Sequence, residues 1–245
     1  MSAMTEAAGS QTPPGSGTGA AGTVLVTGGS SGLGAATVLA VRAAGGRPVV
    51  LDRIAPSQDV EHELVDLADA RAAEAAVARV LALVGELDAV VTAAGIDRCG
   101  RLEDVEAREW DRVVAVNLLG TAAVIRAAMP SLLRRRGRVV TVASTLGIKA
   151  VSDATAYCAS KFAVVGFTRA LAAETAGRVG VTLLIPGGMA TAFFDDRTER
   201  YRPGPEAKLN RPEDVAAAIM FVLSQPAGCE LRELVVAAAE ETSWP

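Results

Sequence analysis

The chain has 245 residues, half of them apolar, and a formal net charge of −4. That length and apolar share suit a single α/β domain with a substantial buried core. The acidic balance argues against nucleic acid as a partner, because phosphate binding requires a concentrated basic face.

Residues 1–22 hold neither Lys nor Arg and are rich in Gly, Ser, Thr, Ala and Pro, so they are expected to be a disordered tail rather than a signal peptide. The organised chain, residues 23–245, is expected to be one domain. Thr23-Val-Leu-Val-Thr27 reads as a short buried strand, and Gly28-Gly29-Ser30-Ser31-Gly32-Leu33-Gly34 leads from it into a helix ending near Ala44. A glycine-rich turn between strand and helix makes an anion site: the backbone approaches a phosphate closely and the free amides of the helix N-terminus face it. The same residues also match the G-x-S-x-G elbow of α/β-hydrolases, but that chemistry needs a late histidine and the only one is His62.

A second strand, Arg47 to Leu51, runs into Asp52, eighteen residues past Gly34. An acid at that spacing accepts hydrogen bonds from the adenosine ribose and repels a 2′-phosphate, whereas Arg53 beside it would attract one. With Ser30 in the turn instead of a basic residue, the balance favours NAD, with NADP possible. A third strand near Glu61 to Val65 ends at Asp66-Leu67, a helix follows from Ala68 to about Val84, and a fourth strand, Leu87 to Thr92, closes on Ala93-Ala94-Gly95. Small residues at a strand end let a flat ring lie against the backbone.

Next comes a helical region from about Val105 to Arg135 that contains Asn117 among apolar neighbours. A buried amide there is costly unless hydrogen-bonded, so Asn117 is either a structural bridge or part of a polar relay. The basic run Arg134-Arg135-Arg136-Gly137-Arg138 closes that region and reads as a solvated helix end. No apolar run is expected to reach the roughly 18 residues of a membrane span. Val139 to Ala143 is the fifth strand, delivering Ser144 to the sheet edge where α/β proteins bind ligands.

The helix from Asp153 to about Thr175 carries Tyr157 and Lys161, four residues apart and so on one face. An ammonium beside a phenol favours the phenolate and brings its pKa down from about 10, equipping the Tyr to exchange a proton with a substrate oxygen. The sixth strand, Val179 to Ile185, runs into Pro186-Gly187-Gly188-Met189-Ala190-Thr191. Residues 189–209 mix Met189, Phe193 and Phe194 with charged and Pro-rich positions, as a lid would. A last helix, Pro212 to Leu223, and a strand, Leu234 to Ala238, complete about seven strands. This alternation defines a doubly wound parallel sheet with helices on both faces. The substrate pocket is expected to draw on Ser144, Leu146, Ile148, Val151, Tyr157, Gly188, Met189, Phe193 and Phe194, and to be apolar and of moderate size. Cys99, Cys158 and Cys229 lack CxxC spacing, which argues against disulfides and a metal site and fits reduced thiols in a cytoplasm. The abundance of Ala resembles a high-GC bacterial coding bias.

Thr27-Gly28-x-x-x-Gly32-x-Gly34, Asp66, Asn117, Ser144-x-x-Gly147, Tyr157-x-x-x-Lys161 and Pro186-Gly187-x-x-x-Thr191 together resemble the short-chain dehydrogenase/reductase family over roughly residues 23–225. The resemblance implies a Rossmann-type fold, a nicotinamide cofactor and a small-molecule alcohol or ketone substrate. It implies a tetrad in which Tyr157 is the acid/base, Ser144 holds the substrate oxygen, Lys161 lowers the Tyr pKa and bonds the nicotinamide ribose, and Asn117 positions a relay water. Cofactor contacts are implied at Gly28, Ser30, Ser31, Gly32, Leu33, Gly34, Asp52, Arg53, Asp66, Leu67, Ala93, Ala94, Gly95, Tyr157, Lys161, Pro186, Gly187, Met189 and Thr191.

Two stretches depart from the family pattern: Thr92-Ala93-Ala94-Gly95 stands for Asn-Asn-Ala-Gly, and residues 231–245 lack the frequent Val-Asp-Gly-Gly ending. A homodimer or homotetramer is expected through the two long helices, since the one bearing Tyr157 is apolar on most of its circumference. The rival class is a cofactor-sensing or scaffold protein that keeps the fold without turnover. Such proteins commonly lose Tyr or Lys, and here both are present.

Overall fold

The computed structural model describes residues 21–241, so nearly all of the expected N-terminal tail lies outside the described residues. Seven parallel strands form one sheet in the order β3-β2-β1-β4-β5-β6-β7: β1 Thr23–Thr27, β2 Arg47–Asp52, β3 Glu61–Leu64, β4 Ala89–Thr92, β5 Arg138–Val142, β6 Gly180–Pro186 and β7 Glu233–Val236. The helices are α1 Gly32–Ala43, α2 Ala70–Val84, α3 Ala107–Val114, α4 Thr121–Arg135, α5 Thr155–Glu174 and α6 Pro212–Leu223.

The central strands are apolar runs because both faces are covered. In β1, Leu25 enters the layer holding Val77, Val124, Ile125 and Leu132, while its neighbours Val24 and Val26 enter the opposite layer with Val38, Leu184 and Ile219. That two-residue alternation packs α2 and α4 on one face and α1 and α6 on the other. Full burial of each such Leu, Ile or Val contributes about 1.5–3 kcal/mol. The chain reverses direction across the sheet between β1 and β4, paired in parallel from Val24↔Ala89 to Thr27↔Thr92. The carboxyl ends of the strands flanking that switch point frame a crevice.

Element boundaries differ from expectation where side chains capture backbone groups. The second helix starts at Ala70 rather than Ala68, because Asp66 accepts the Ala68 amide and Asp69 caps the helix by accepting the amides of Arg71 and Ala72. The expected single helix from Val105 to Arg135 is interrupted by a widened π turn, Ala115–Gly120. Asn117 lies in this turn and Gly120 packs against the Leu67 carbonyl, where a Cβ would come within 2.6 Å of the oxygen. Wide turns of this kind commonly mark functional positions.

Against the expectation that no apolar run reaches the length of a membrane span, the stretch Ala107–Arg135 is long and apolar enough by length and composition to cross one. Its apolarity has another use, since half of its most apolar window is buried inside the fold. The basic run at its end is exposed at Arg134, Arg135 and Arg136 as expected and is also paired within the chain: Arg134 pairs with Glu86 and Arg135 with Asp88, while Arg136 donates to the Gly177 carbonyl and Arg138 to that of Gln225.

Candidate active site

At the mouth of the switch point the turn after β1 folds back on itself. A Cβ on Gly34 would lie 2.0 Å from the Gly28 carbonyl oxygen, so no larger residue fits this path. Ser31 precedes α1 without capping it through its side chain, and Gly28, Ser31, Gly32, Leu33 and Gly34 all line the main cavity, of about 740 Å³. The first-turn amides of α1 and its positive dipole end form an anion cradle there. Ser30, expected among the cofactor contacts, does not line the cavity: its hydroxyl donates to the Ile54 carbonyl at 2.5 Å.

The Ser30 amide donates to Asp52 Oδ2 at 3.0 Å, and Oδ1 accepts from the Arg53 and Ile54 amides. Asp52 and Arg53 line the cavity, as do Asp66 and Leu67. Burial pulls the Asp66 carboxyl up, but the Ala68 amide and the Arg112 guanidinium prevail and hold it below the usual range. Ala93, Ala94 and Gly95 form the floor. In place of the family's amide side chains, Thr27 Oγ1 accepts the Ala94 amide at 3.1 Å, and Asn117 clamps Ile96 from both sides of the peptide.

Asn117 accepts the Ile96 amide through Oδ1 and donates through Nδ2 to the Ile96 carbonyl and to Ser160 Oγ. Its side chain is therefore a structural bridge behind the cavity wall. Ser144 lies just past β5, where Oγ accepts the Leu146 amide at 3.1 Å and opens the 3-10 turn Thr145–Gly147. Gly147 lets that turn pack on α5, since a Cβ would approach the Lys161 carbonyl to 2.9 Å. The Ser144 hydroxyl in turn hydrogen-bonds the Tyr157 phenol.

Lys161 is 4% exposed and donates from Nζ to the Val142 carbonyl at 2.9 Å, with Nζ 5.6 Å from the Tyr157 ring centroid. The expected lowering of the Tyr pKa is not found in the folded chain. Burial pushes the Tyr157 phenol up to about 12, outweighing the Ser144 hydrogen bond that works the other way, and burial brings the Lys161 ammonium down to about 8.

Pro186, Gly187, Gly188, Met189 and Thr191 line the cavity at the end of β6 and beyond it, followed by Phe193 and Phe194. The Phe193 ring lies 5.7 Å from the Tyr157 ring, centroid to centroid. Leu146 lines the cavity but Ile148 and Val151 do not: Ile148 packs into the core beside Val164 and Leu183, and Val151 is exposed.

Sequence reasoning missed many wall residues, among them Cys99, Glu109 and Arg112 and four that shape the site most. Asp97, Arg197 and Tyr201 carry the polar side of the substrate end, and Glu241 returns from the C-terminus to accept the Gly188 amide at 3.0 Å. Nothing local in the sequence signals these pairings. Only the position of Asp97 immediately after Gly95-Ile96 could have drawn attention. His62 sits on strand β3 outside the cavity, so the elbow chemistry has no histidine. Among the described residues no group of three His, Cys, Asp or Glu side chains is placed to hold a metal ion.

An elongated dinucleotide fits this cavity. The glycine turn, with no room for a Cβ at Gly34, would hold its pyrophosphate, and Asp52, the Ala-Gly floor and Lys161 line the rest of the cavity where its ribose and ring ends would lie. Fold and site together define a dinucleotide-dependent α/β enzyme. A family model described as short chain dehydrogenase matches residues 22–202. The chain is 32% identical over 242 residues to the L-fucose dehydrogenase of Mus musculus, covering 90% of this chain and 89% of that protein. It is 31% identical over 229 residues to 2-(S)-hydroxypropyl-CoM dehydrogenase 3 of Xanthobacter autotrophicus, covering 83% and 90%. An alcohol dehydrogenase structure from the archaeon Thermococcus sibiricus shares the fold with a TM-score of 0.80 at 24% identity, over 89% of this chain and 97% of that one.

The chain belongs to the short chain dehydrogenase family. It is an NAD(P)-dependent oxidoreductase acting on a CH–OH group.

Proposed function

We propose that this enzyme prefers NAD and interconverts a secondary alcohol and its ketone, with Tyr157 as acid/base, Ser144 as holder of the substrate oxygen and Lys161 as the cation beside them. The observation that carries these roles is the Ser144–Tyr157 hydrogen bond on the wall of the cavity, with Lys161 Nζ beside the ring. The nicotinamide cofactor supplies or accepts the hydride. In the reducing direction the developing alkoxide accepts hydrogen bonds from Ser144 Oγ and the Tyr157 phenol, and the phenol proton passes to it. In the oxidising direction Tyr157 takes the proton from the alcohol. The Asn117 side chain braces the floor through Ile96, which supports a positioning role for it.

A panel of ketones with NADH, and of alcohols with NAD, followed at the nicotinamide absorbance, tests the reaction. Turnover of none would overturn it. NAD preference rests on Asp52, whose carboxylate is fixed by three backbone amides where a 2′-phosphate would meet it. NADH is expected to bind about tenfold or more tighter than NADPH, a gap of about 1.4 kcal/mol, and Asp52→Asn to narrow that gap. Equal or tighter NADPH binding to the wild type would give the cofactor choice to Arg53.

A homodimer or homotetramer is the proposed assembly. Phe162 on α5 and Leu119 on the π turn are large apolar side chains left exposed on the face of the two long helices. A cytoplasmic location accords with three free cysteines.

A further inference from the structure

The roles above leave unused a second polar device in the same cavity. Asp97 follows the Ala-Gly floor and its side chain is only 4% exposed. Its Oδ2 accepts from Arg197 Nη2 at 2.6 Å and from the Cys99 thiol at 3.2 Å, and Oδ1 accepts from the Arg98 amide at 2.6 Å. Burial and the Asp97 charge push the Cys99 thiol up to about 12, which keeps it a donor.

Arg197 arrives from the lid, one hundred residues away. Its guanidinium carbon lies 5.3 Å and 4.6 Å from the ring centroids of Phe193 and Phe194, and Nη1 donates to the Tyr201 carbonyl at 3.2 Å. The third edge, Nε, is buried without a hydrogen-bond partner. Both residues line the cavity that holds Ser144 and Tyr157, and their charges act on the phenol in opposite directions.

A buried ion pair is commonly no more stabilising than apolar side chains of the same volume, so fold stability alone gives no reason for one here. A pocket for a purely apolar substrate would have no use for it either. Because the two charges cancel, the pair offers little attraction to an anionic substrate, and Asp97 would oppose one directly. What it does offer is an N–H donor without an acceptor and a carboxylate with about four lone-pair sites, three of them taken. A hydroxyl has both the donor and the acceptor that the pair lacks, a proton for Asp97 and a lone pair for Arg197 Nε. A carbonyl or ether oxygen accepts only, and an ammonium donates only.

We infer that Asp97 and Arg197 form a specificity-determining subsite for a second substrate hydroxyl, so that the enzyme selects neutral polyhydroxylated substrates over monofunctional alcohols and hydroxy acids. This rests on the proposed hydride transfer at Tyr157. The test compares kcat/KM for erythritol, butan-2-ol and lactate with NAD. A hydrogen bond to a charged group contributes on the order of ten- to a hundredfold, so erythritol is expected to exceed both others by at least about tenfold. Asp97→Asn should cut the erythritol to butan-2-ol ratio by at least about tenfold and raise the relative rate with lactate, since Arg197 is then uncompensated. Arg197→Lys, which keeps the charge balance but removes Nε–H, should lower the same ratio by a smaller factor.

Equal losses with erythritol and butan-2-ol in both variants would mean a merely structural pair and overturn the inference. So would a wild type that prefers butan-2-ol or lactate. A thermal melt with NADH and each alcohol reads the subsite without turnover: erythritol should raise the wild-type Tm and raise that of Arg197→Lys by less. If no alcohol is turned over but erythritol still stabilises, the hydride-transfer reading fails and the subsite stands. If erythritol stabilises no more than butan-2-ol, the subsite fails by itself.

Discussion

Tyr157→Phe is expected to lower kcat/KM for ketone reduction by about 10³-fold or more while leaving the NADH dissociation constant within about threefold. The phenol oxygen has two tasks, donating a hydrogen bond to the developing alkoxide and supplying its proton. General acid catalysis alone is worth about 10²–10⁴-fold, and loss of one oxyanion donor costs about 10²–10³-fold. These overlap in one O–H and do not multiply. The ring itself stays, with its contact to Phe193, and Ser144 keeps the Leu146 amide as partner, so stability should change by no more than about 1 kcal/mol. With burial pushing the phenol up to about 12, the folded protein at neutral pH holds it as the acid. Reduction should then be nearly flat between pH 6 and pH 7, because the donor form is already full, and should fall as Lys161 loses its proton near pH 8. Oxidation needs the phenolate and should rise with pH over the same range. Rate measurements in both directions across that range decide the matter. An unchanged kcat in the Phe variant would remove Tyr157 from the chemistry.

What could be read from the sequence was whatever is local. The spacing of Tyr157 and Lys161, the glycine turn and the placing of Ser144 at a strand end are all matters of a few residues, where helix and strand periods fix direction. Strand positions came out within two residues because continuous apolar runs can only be buried strands in such an alternation. The π turn at Ala115–Gly120 was not legible, since it arises from Asn117 reaching Ile96 and Ser160, 21 and 43 residues away. Arg197 and Asp97 were invisible for the same reason: each alone looks like a solvated loop charge, and only the return of the chain after β6 brings them together. Ile148 was misassigned because two residues along a loop reverse a side chain, sending Leu146 to the cavity and Ile148 to the core. Proximity also misled the reading of Lys161. Four residues on a helix bring it beside Tyr157, but burial shifts both groups more strongly than the pair affect each other.

That balance makes Lys161→Met an informative variant, expected to be far less active and yet more stable at neutral pH. Met fills a similar volume without a charge to desolvate. Burial brings Lys161 from 10.5 in the unfolded chain to about 8 in the folded one. Between those values the unfolded state binds more protons, so this group makes wild-type stability rise with pH from about 8 to 10.5, and its full penalty is present below about 8. A shift of that size corresponds to about 3 kcal/mol at roughly 1.4 kcal/mol per unit. The lost hydrogen bond from the ammonium to the Val142 carbonyl returns about 1.5–3 kcal/mol. The net gain at pH 7 is then up to about 1.5 kcal/mol, a Tm higher by up to roughly 6 °C for a chain of this size. Tyr157 and Cys99, whose folded values are raised, remove stability at higher pH in both proteins and cancel in the comparison. The difference in Tm between variant and wild type should therefore be largest below pH 8 and shrink as pH approaches 10.5. Turnover should fall by about 10²-fold or more, because the cation that faces the developing charge is gone. A variant that is less stable than wild type at pH 7, or a stability difference that does not depend on pH, would show that Lys161 is held at no electrostatic cost and that the Val142 hydrogen bond outweighs its burial.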